Sequence, residues 1–219
     1  MGIIPGKESI DFGWETVKKY LGFFIVISVI VFVAQLIPRS LQNIVAGDVV
    51  LIAGIIGIIG WVIQKIIDMG FIKICLKCCD NEKGEFSDLV PTSRQRVINF
   101  IVGSIMYALI VVVGTILLIV PGVIWSLKFQ FFGYFIIDEG LSPIDALKKS
   151  GMITAGVKGN LFVFALVLAL INMVGVFCLL VGLFVTIPLT TLAFTYMYRS
   201  LLKTKEGIAI PANFDISFK

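Results

Sequence analysis

Val97–Ile137 reads VINFIVGSIMYALIVVVGTILLIV, then Pro121-Gly122, then VIWSLKFQFFGYFII. Lys128 is the one charged residue in this stretch. Two apolar segments joined by a minimal turn are the pattern of a hairpin of membrane helices. In hydrocarbon every backbone N–H and C=O has to bond within the chain, so the segments are helices. Val97–Val120 is long enough to span. Val123–Ile137 reaches roughly 22 Å at 1.5 Å per residue, short of a hydrocarbon core of about 30 Å. That shortness makes Lys128 conspicuous.

The same reading extends in both directions. Of the 219 residues 58% are hydrophobic, and mean hydropathy is +1.04. Charged residues make up 15%, against about 25% in soluble domains. A soluble fold of this length could not hide so much apolar surface. The expected fold is therefore all-α, a polytopic membrane helical bundle in one domain over residues 1–219. Six spans are expected, at about 21–37, 49–69, 97–120, 123–137, 161–180 and 183–202, paired as three hairpins. Pro38-Arg39 should stop the first span. The second should continue as helix beyond Gly70. Pro188 is tolerable in the sixth.

Two short helices should lie at the membrane surface. Residues 9–20 place Ile10, Trp14, Val17 and Leu21 on one stripe, with Asp11, Glu15, Lys18 and Lys19 elsewhere. Residues 143–154 follow Ser142-Pro143-Ile144-Asp145, where serine caps and proline takes the first helical position. Met1–Gly6 leads into a polar stretch rather than a signal-peptide core. A repeat supports the hairpins: Val113-Gly114 through Val120-Pro121-Gly122 matches Val174-Gly175 through Val181-Gly182. A unit of two spans keeps one orientation, so the repeats should be parallel about the membrane normal.

Basic residues set the topology. Lys7, Lys18 and Lys19 precede the first span, and Lys73, Lys77, Lys83, Arg94 and Arg96 follow the second. Lys148, Lys149 and Lys158 follow the fourth, and Arg199, Lys203, Lys205 and Lys219 close the chain. Arg39 is alone on the other side. The positive-inside rule then predicts a multi-pass protein of the cell membrane with both termini in the cytosol. A net charge of +4 is too small and too spread to indicate nucleic acid. Membrane lipids are the expected partners, with a second copy or another membrane protein as further candidates.

Chemistry is sparse. The chain has no histidine, which removes the commonest general base and metal ligand. Cys75, Cys78 and Cys79 lack a fourth ligand for zinc and read as small apolar residues. No catalytic, metal or cofactor site is expected. The candidate intramembrane polar site is Lys128, Gln130 and Asn172, because an ionisable group at depth marks function or snorkels away. Lys65 and Asp68, with Gln64, should pair at i and i+3 near the cytosolic end of the second span. Asp138 and Glu139 should face water. Gly54, Gly57 and Gly60 lie on a three-residue step and are candidates for close helix packing.

At Pro121-Gly122 and at Phe135–Ser150 (FIIDEGLSPIDALKKS) the chain resembles a set of uncharacterised prokaryotic six-span membrane proteins. These are related to the membrane domain of some glycerophosphoryl diester phosphodiesterases. The resemblance covers most of residues 10–202. Gly151 stands where relatives carry an aromatic residue. The resemblance implies architecture and no activity, since the phosphodiesterase chemistry belongs to a separate soluble domain. Three function classes follow: a non-enzymatic scaffold or interaction module, favoured by short loops and few internal polar residues; a transporter or channel-like protein for a small or amphiphilic solute; and a lipid-acting membrane enzyme.

Overall fold

The computed structural model describes residues 5–45, 50–91, 93–177 and 181–205, with side chains except at 37–45, 50 and 51. Among these residues the fold is all-helical. Helices α1 (Gly6–Lys19), α2 (Leu21–Val45) and α3 (Val50–Cys79) come first, and a 3-10 turn, Phe86–Leu89, follows them. Then come α4 (Arg94–Leu117), α5 (Ile119–Phe129), α6 (Phe132–Asp138), α7 (Pro143–Ile153), α8 (Lys158–Phe177) and α9 (Leu183–Lys205). The backbone of α2 continues through Pro38, past the expected stop, and α3 runs on to Cys79.

Four stretches are long and apolar enough to cross a membrane: Ile52–Cys79, Arg94–Leu117, Ile119–Asp138 and Lys158–Phe177. A fifth is reached by joining α1 to Leu21–Leu36, from which it bends by 96°. The sixth expected span, 183–202, falls short for a physical reason. Helix α9 is the centre of the bundle and buries Thr190, Thr195, Ser200 and eight other residues. A helix surrounded by protein has no need of a lipid-facing composition.

The apolar surface is divided unevenly. Large hydrophobic side chains are exposed along α2, α3, α4 and α8 and at the α4–α5 junction, where Ile116 and Ile119 are 78% and 75% exposed. Contiguous apolar surface of this extent suits lipid rather than water. The opposite end is packed. There Phe131, Phe135 and Ile136 meet Met197, Tyr198 and Leu201 of α9 in one core, and Phe24, Ile74 and Leu192 belong to a second.

The hairpin that decided the fold turns three residues earlier than expected. Leu118 is extended (φ −166°, ψ 146°) and reverses the chain, while Pro121 and Gly122 lie in the first turn of α5. Proline is at home there, because the first helical N–H groups have no partner to lose. Gly122 packs directly on Thr115, and a side chain at Gly114 would meet Trp125 and Gly122. The repeat closes alike: a side chain at Gly175 would meet Thr186 and Gly182. In both hairpins a glycine near the end of the first helix faces one at the start of the second.

The expected span 123–137 is two helices. The chain breaks at Gln130-Phe131 and α7 repairs the break. Ser150 Oγ accepts from the Phe131 N–H at 3.1 Å and donates to the Lys128 carbonyl at 3.0 Å. Thr154 Oγ1 also donates to that carbonyl, at 3.1 Å. Two backbone groups freed by the break are thus satisfied. Helix α7 starts as expected, with Ser142 Oγ accepting from the Asp145 N–H. It is amphipathic: Ala146, Leu147, Ser150 and Ile153 are buried against the core, while Ile144, Asp145, Lys148 and Met152 are exposed. Ser150→Ala should lower stability by about 1–2 kcal/mol, because the Phe131 N–H is left buried and unpaired. Thermal melting in detergent tests this, and an unchanged melting temperature would mean the break does not depend on α7.

The face of α1 also differs from expectation. Ser9, Phe12, Gly13, Thr16 and Val17 are buried, and Trp14 is exposed with Lys18 Nζ 4.7 Å from its ring. The reason is size. A Cβ on Gly13 would sit 2.7 Å from the Leu189 carbonyl oxygen, so the small-residue stripe lets α1 lie backbone to backbone on α9. The larger Ile10–Trp14 stripe could not approach so closely.

Candidate functional site: a cavity between α3, α4, α6 and α9

Ion pairs gather at the packed end. Arg199 Nη1 and Nη2 reach Asp138 at 2.6 and 3.0 Å, and Nη2 reaches Asp80 at 2.5 Å. Tyr198 donates to Asp138 at 3.0 Å. Lys149 bonds Glu139. Asp138 and Glu139 are therefore paired rather than simply turned to water, and Arg199 ties the ends of α3, α6 and α9 together. Burial raises the Asp80 carboxyl above its ordinary value, and Arg199 only partly offsets it.

Beside this node the loop after α3 folds back. Asp88 is buried and receives Lys73 at 3.0 Å and Lys77 at 2.8 Å. Burial alone would push its carboxyl up, but the hydrogen bonds from Lys77, Lys73 and the Glu85 N–H carry it below its ordinary value. A depressed carboxyl stabilises the fold above the unfolded value near pH 3.9 and loses that contribution as pH falls through the folded value. Asp88→Asn should thus melt earlier than the parent near neutral pH, and the gap should close as pH falls below about 4. A gap independent of pH would remove the charge from the account.

Above the packed end, among the apolar segments, lies a cavity of about 600 Å³. Helix α3 contributes Trp61, Lys65 and Asp68, α4 contributes Ser104 and Tyr107, and α9 contributes Thr190. Gln130, at the break between α5 and α6, adds an amide, and Tyr134 and Thr191 also line the space. The Lys65–Asp68 pair forms as the i, i+3 spacing predicts, at 3.0 Å. Gln64 Nε2 donates to the other Asp68 oxygen at 2.7 Å. Because α3 extends to Cys79, the pair sits several turns from the helix end and not beside it. Its side chains are 27% and 32% exposed. The Ser104, Tyr107, Thr190 and Thr191 hydroxyls are directed at backbone: Ser104 donates to Phe100, Tyr107 to Ser126, and Thr190 and Thr191 to Ile187.

The three residues singled out in the sequence are divided by the fold. Gln130 lines the cavity, and its Nε2 is buried without a partner. Asn172 borders it through α9, with Nδ2 donating to Thr190 Oγ1 at 3.4 Å. Lys128 is elsewhere. Its stem fills the space left by Gly151 on α7, where a Cβ would lie 3.0 Å from Lys128 Cε. Its Nζ is 4.9 Å from the Phe129 ring. The anticipated association of Lys128 with Gln130 and Asn172 is therefore corrected: the break at Gln130-Phe131 turns Lys128 toward α7. Of the glycines, Gly60 is buried, Gly57 half-buried and Gly54 exposed with nothing within 4 Å of an added Cβ. Among the described residues nothing packs on Gly54. No group of three metal-ligating side chains occurs among the described residues.

A family model described as "Domain of unknown function (DUF7847)" matches residues 86–209, more than half of the chain. The uncharacterized proteins Rv2560 of Mycobacterium tuberculosis and Mb2590 of Mycobacterium bovis are each 27% identical over 126 residues. The match spans 57% of this chain but 38% of theirs. No solved structure matches.

Proposed function

This chain belongs to the DUF7847 family, and we propose that it is a non-enzymatic membrane protein that binds, and in its cycle transfers, an amphiphilic solute. The observation that carries this reading is the cavity of about 600 Å³ holding the Lys65–Asp68 pair. That volume is within the range of about 300–1,000 Å³ usual for small-molecule sites. Three of its walls belong to helices of membrane-spanning length and composition. An ion pair at such depth is costly to keep without a use.

The proposed topology has six spans in three hairpins, α9 included, in the cell membrane with both termini in the cytosol. Its support is the distribution of basic residues, and the ion pairs of Lys73, Lys77, Lys149 and Arg199 that collect at one end of the bundle. Tags at each terminus should be reached only after the cytosolic face is opened. Labelling of either from outside intact cells would overturn this orientation.

Native mass spectrometry of protein purified from membranes tests the binding. The parent should retain an amphiphile. Ala108→Trp, which places an indole at the edge of the cavity, should lose it while keeping its melting temperature. Equal retention in both would leave the cavity without this role. A scaffold reading has one specific support, the open face around Gly54, which would accept a second copy. It predicts that Gly54→Leu breaks an oligomer in detergent, whereas solute binding alone predicts no change in oligomer size.

A further inference from the structure

We infer that the cavity takes a single-chain amphiphile whose head is an anionic oxyacid, a carboxylate or a phosphate monoester, seated on Lys65 and Gln130. This inference rests on the cavity reading just given and names its ligand class. The polar groups set the sign. Both Asp68 oxygens are occupied, one by Gln64 and one by Lys65. Lys65, in contrast, uses one of its three ammonium protons on Asp68, its one ion-pair partner among the described residues. Gln130 adds a buried amide donor with no partner. The hydroxyls of Ser104, Tyr107, Thr190 and Thr191 have already given their protons to backbone carbonyls.

The unmet polar groups of the lining itself are thus donors, while the buried oxygens of Gln64 and Asn172 that lack a partner belong to residues outside the lining. A buried donor without an acceptor is the rarer and costlier deficit, since oxygens tolerate partial satisfaction better. An oxyacid offers several lone pairs at once, and its charge makes each bond to ammonium stronger. A cationic head would meet the opposite situation, an occupied carboxylate beside an ammonium. The rest of the wall fixes the tail. Trp61, Phe71, Ile72, Phe100, Phe132 and Phe194 form an apolar lining. Trp61 is itself 39% exposed at the bundle surface, so a chain has a lateral route from lipid.

The test uses full-length protein in detergent with Trp14→Phe and Trp125→Phe, leaving Trp61 as the only tryptophan. Bromine on an acyl chain quenches an indole that it touches. Dibrominated chains with carboxylate, phosphate, trimethylammonium and maltoside heads are titrated in turn. The expected result is saturable quenching by the carboxylate or the phosphate, with the tighter of the two naming the head. Binding of the trimethylammonium chain should be at least about tenfold weaker. Lys65→Met should weaken the anionic probe about tenfold, Gln130→Leu should weaken it less, and Asp68→Asn should leave it unchanged or tighter. Circular dichroism and elution volume confirm that each variant is folded, and Gln130→Leu carries the test should Lys65→Met not fold. Saturable quenching that ignores head charge, or survives both Lys65→Met and Gln130→Leu, would overturn the head assignment and leave the cavity reading standing. No saturable quenching by any probe would overturn both.

Discussion

Arg199→Met is expected to lower the free energy of unfolding by about 3 kcal/mol, at the low end for breaking a buried ion pair because this one is partly wet. The Arg199 and Asp138 side chains are each 21% exposed. One guanidinium serves two carboxylates from different helices, Asp80 just after α3 and Asp138 at the end of α6. Methionine keeps the stem and removes the charge. Asp138 then retains only the Tyr198 hydroxyl, and two carboxylates face each other without a cation. Arg199→Lys should recover only part of the loss, since an ammonium cannot bond both Asp138 oxygens in the bidentate way the guanidinium does. Removing Asp138 as well, by Asp138→Asn, should restore some stability because one uncompensated charge is gone. Thermal or denaturant unfolding in detergent measures all three. A change for Arg199→Met within about 0.5 kcal/mol, the range of ordinary surface substitutions, would show that the three helix ends hold together by apolar packing alone.

Gly70→Val should cost about as much, near 3 kcal/mol at the upper part of the overpacking range. A Cβ at Gly70 would lie 2.5 Å from the Leu89 Cα and 2.7 Å from its carbonyl carbon. The obstacle is backbone, so no rotamer change relieves it. The 3-10 turn at Phe86–Leu89 would be pushed off α3, and the Asp88 bridges to Lys73 and Lys77 would be strained with it. Gly54→Val on the same helix meets open space and should be neutral or stabilising by a few tenths of a kcal/mol, because glycine is a poorer helix former than even a β-branched residue. Comparing the two melting temperatures separates steric contact from helix propensity. Equal shifts would contradict the close approach at Gly70.

The long apolar helices were legible because hydropathy and helical period act locally. The Ser142 cap and the continuation of α3 past Gly70 appear where residue order places them, and the α4–α5 hairpin turns three residues before its Pro121-Gly122. What was not legible depends on contacts made at a distance. The break at Gln130-Phe131 has no proline or glycine to announce it, and exists because Ser150 and Thr154, some twenty residues later, accept and donate at its free groups. The buried face of α1 follows Gly13 rather than Trp14 because the backbone of α9 lies against it.

The site was half legible for the same reason. Gln130 and Asn172 were singled out as polar residues at depth, and they line or border the cavity. Lys128 was weighted above them by charge alone, but Gly151 gives it a place outside. Lys65 and Asp68 pair as their spacing predicts, but the span boundary at Met69 places them near its cytosolic end. With α3 continuing to Cys79, the pair lies in the middle of the helix and lines the cavity. Trp61 and Tyr107 carried no signal at all, since aromatic residues in apolar helices are the rule.

The central claim is that helices α3, α4, α6 and α9 enclose an occupied intramembrane site. A structure determined by cryo-electron microscopy in native lipid nanodiscs tests it most directly. The account predicts elongated density between these helices, with its head within hydrogen-bond reach of Lys65 Nζ and Gln130. A bundle in which Trp61, Tyr107 and Phe194 close on one another, with Lys65 and Asp68 turned out to lipid headgroups, would contradict it.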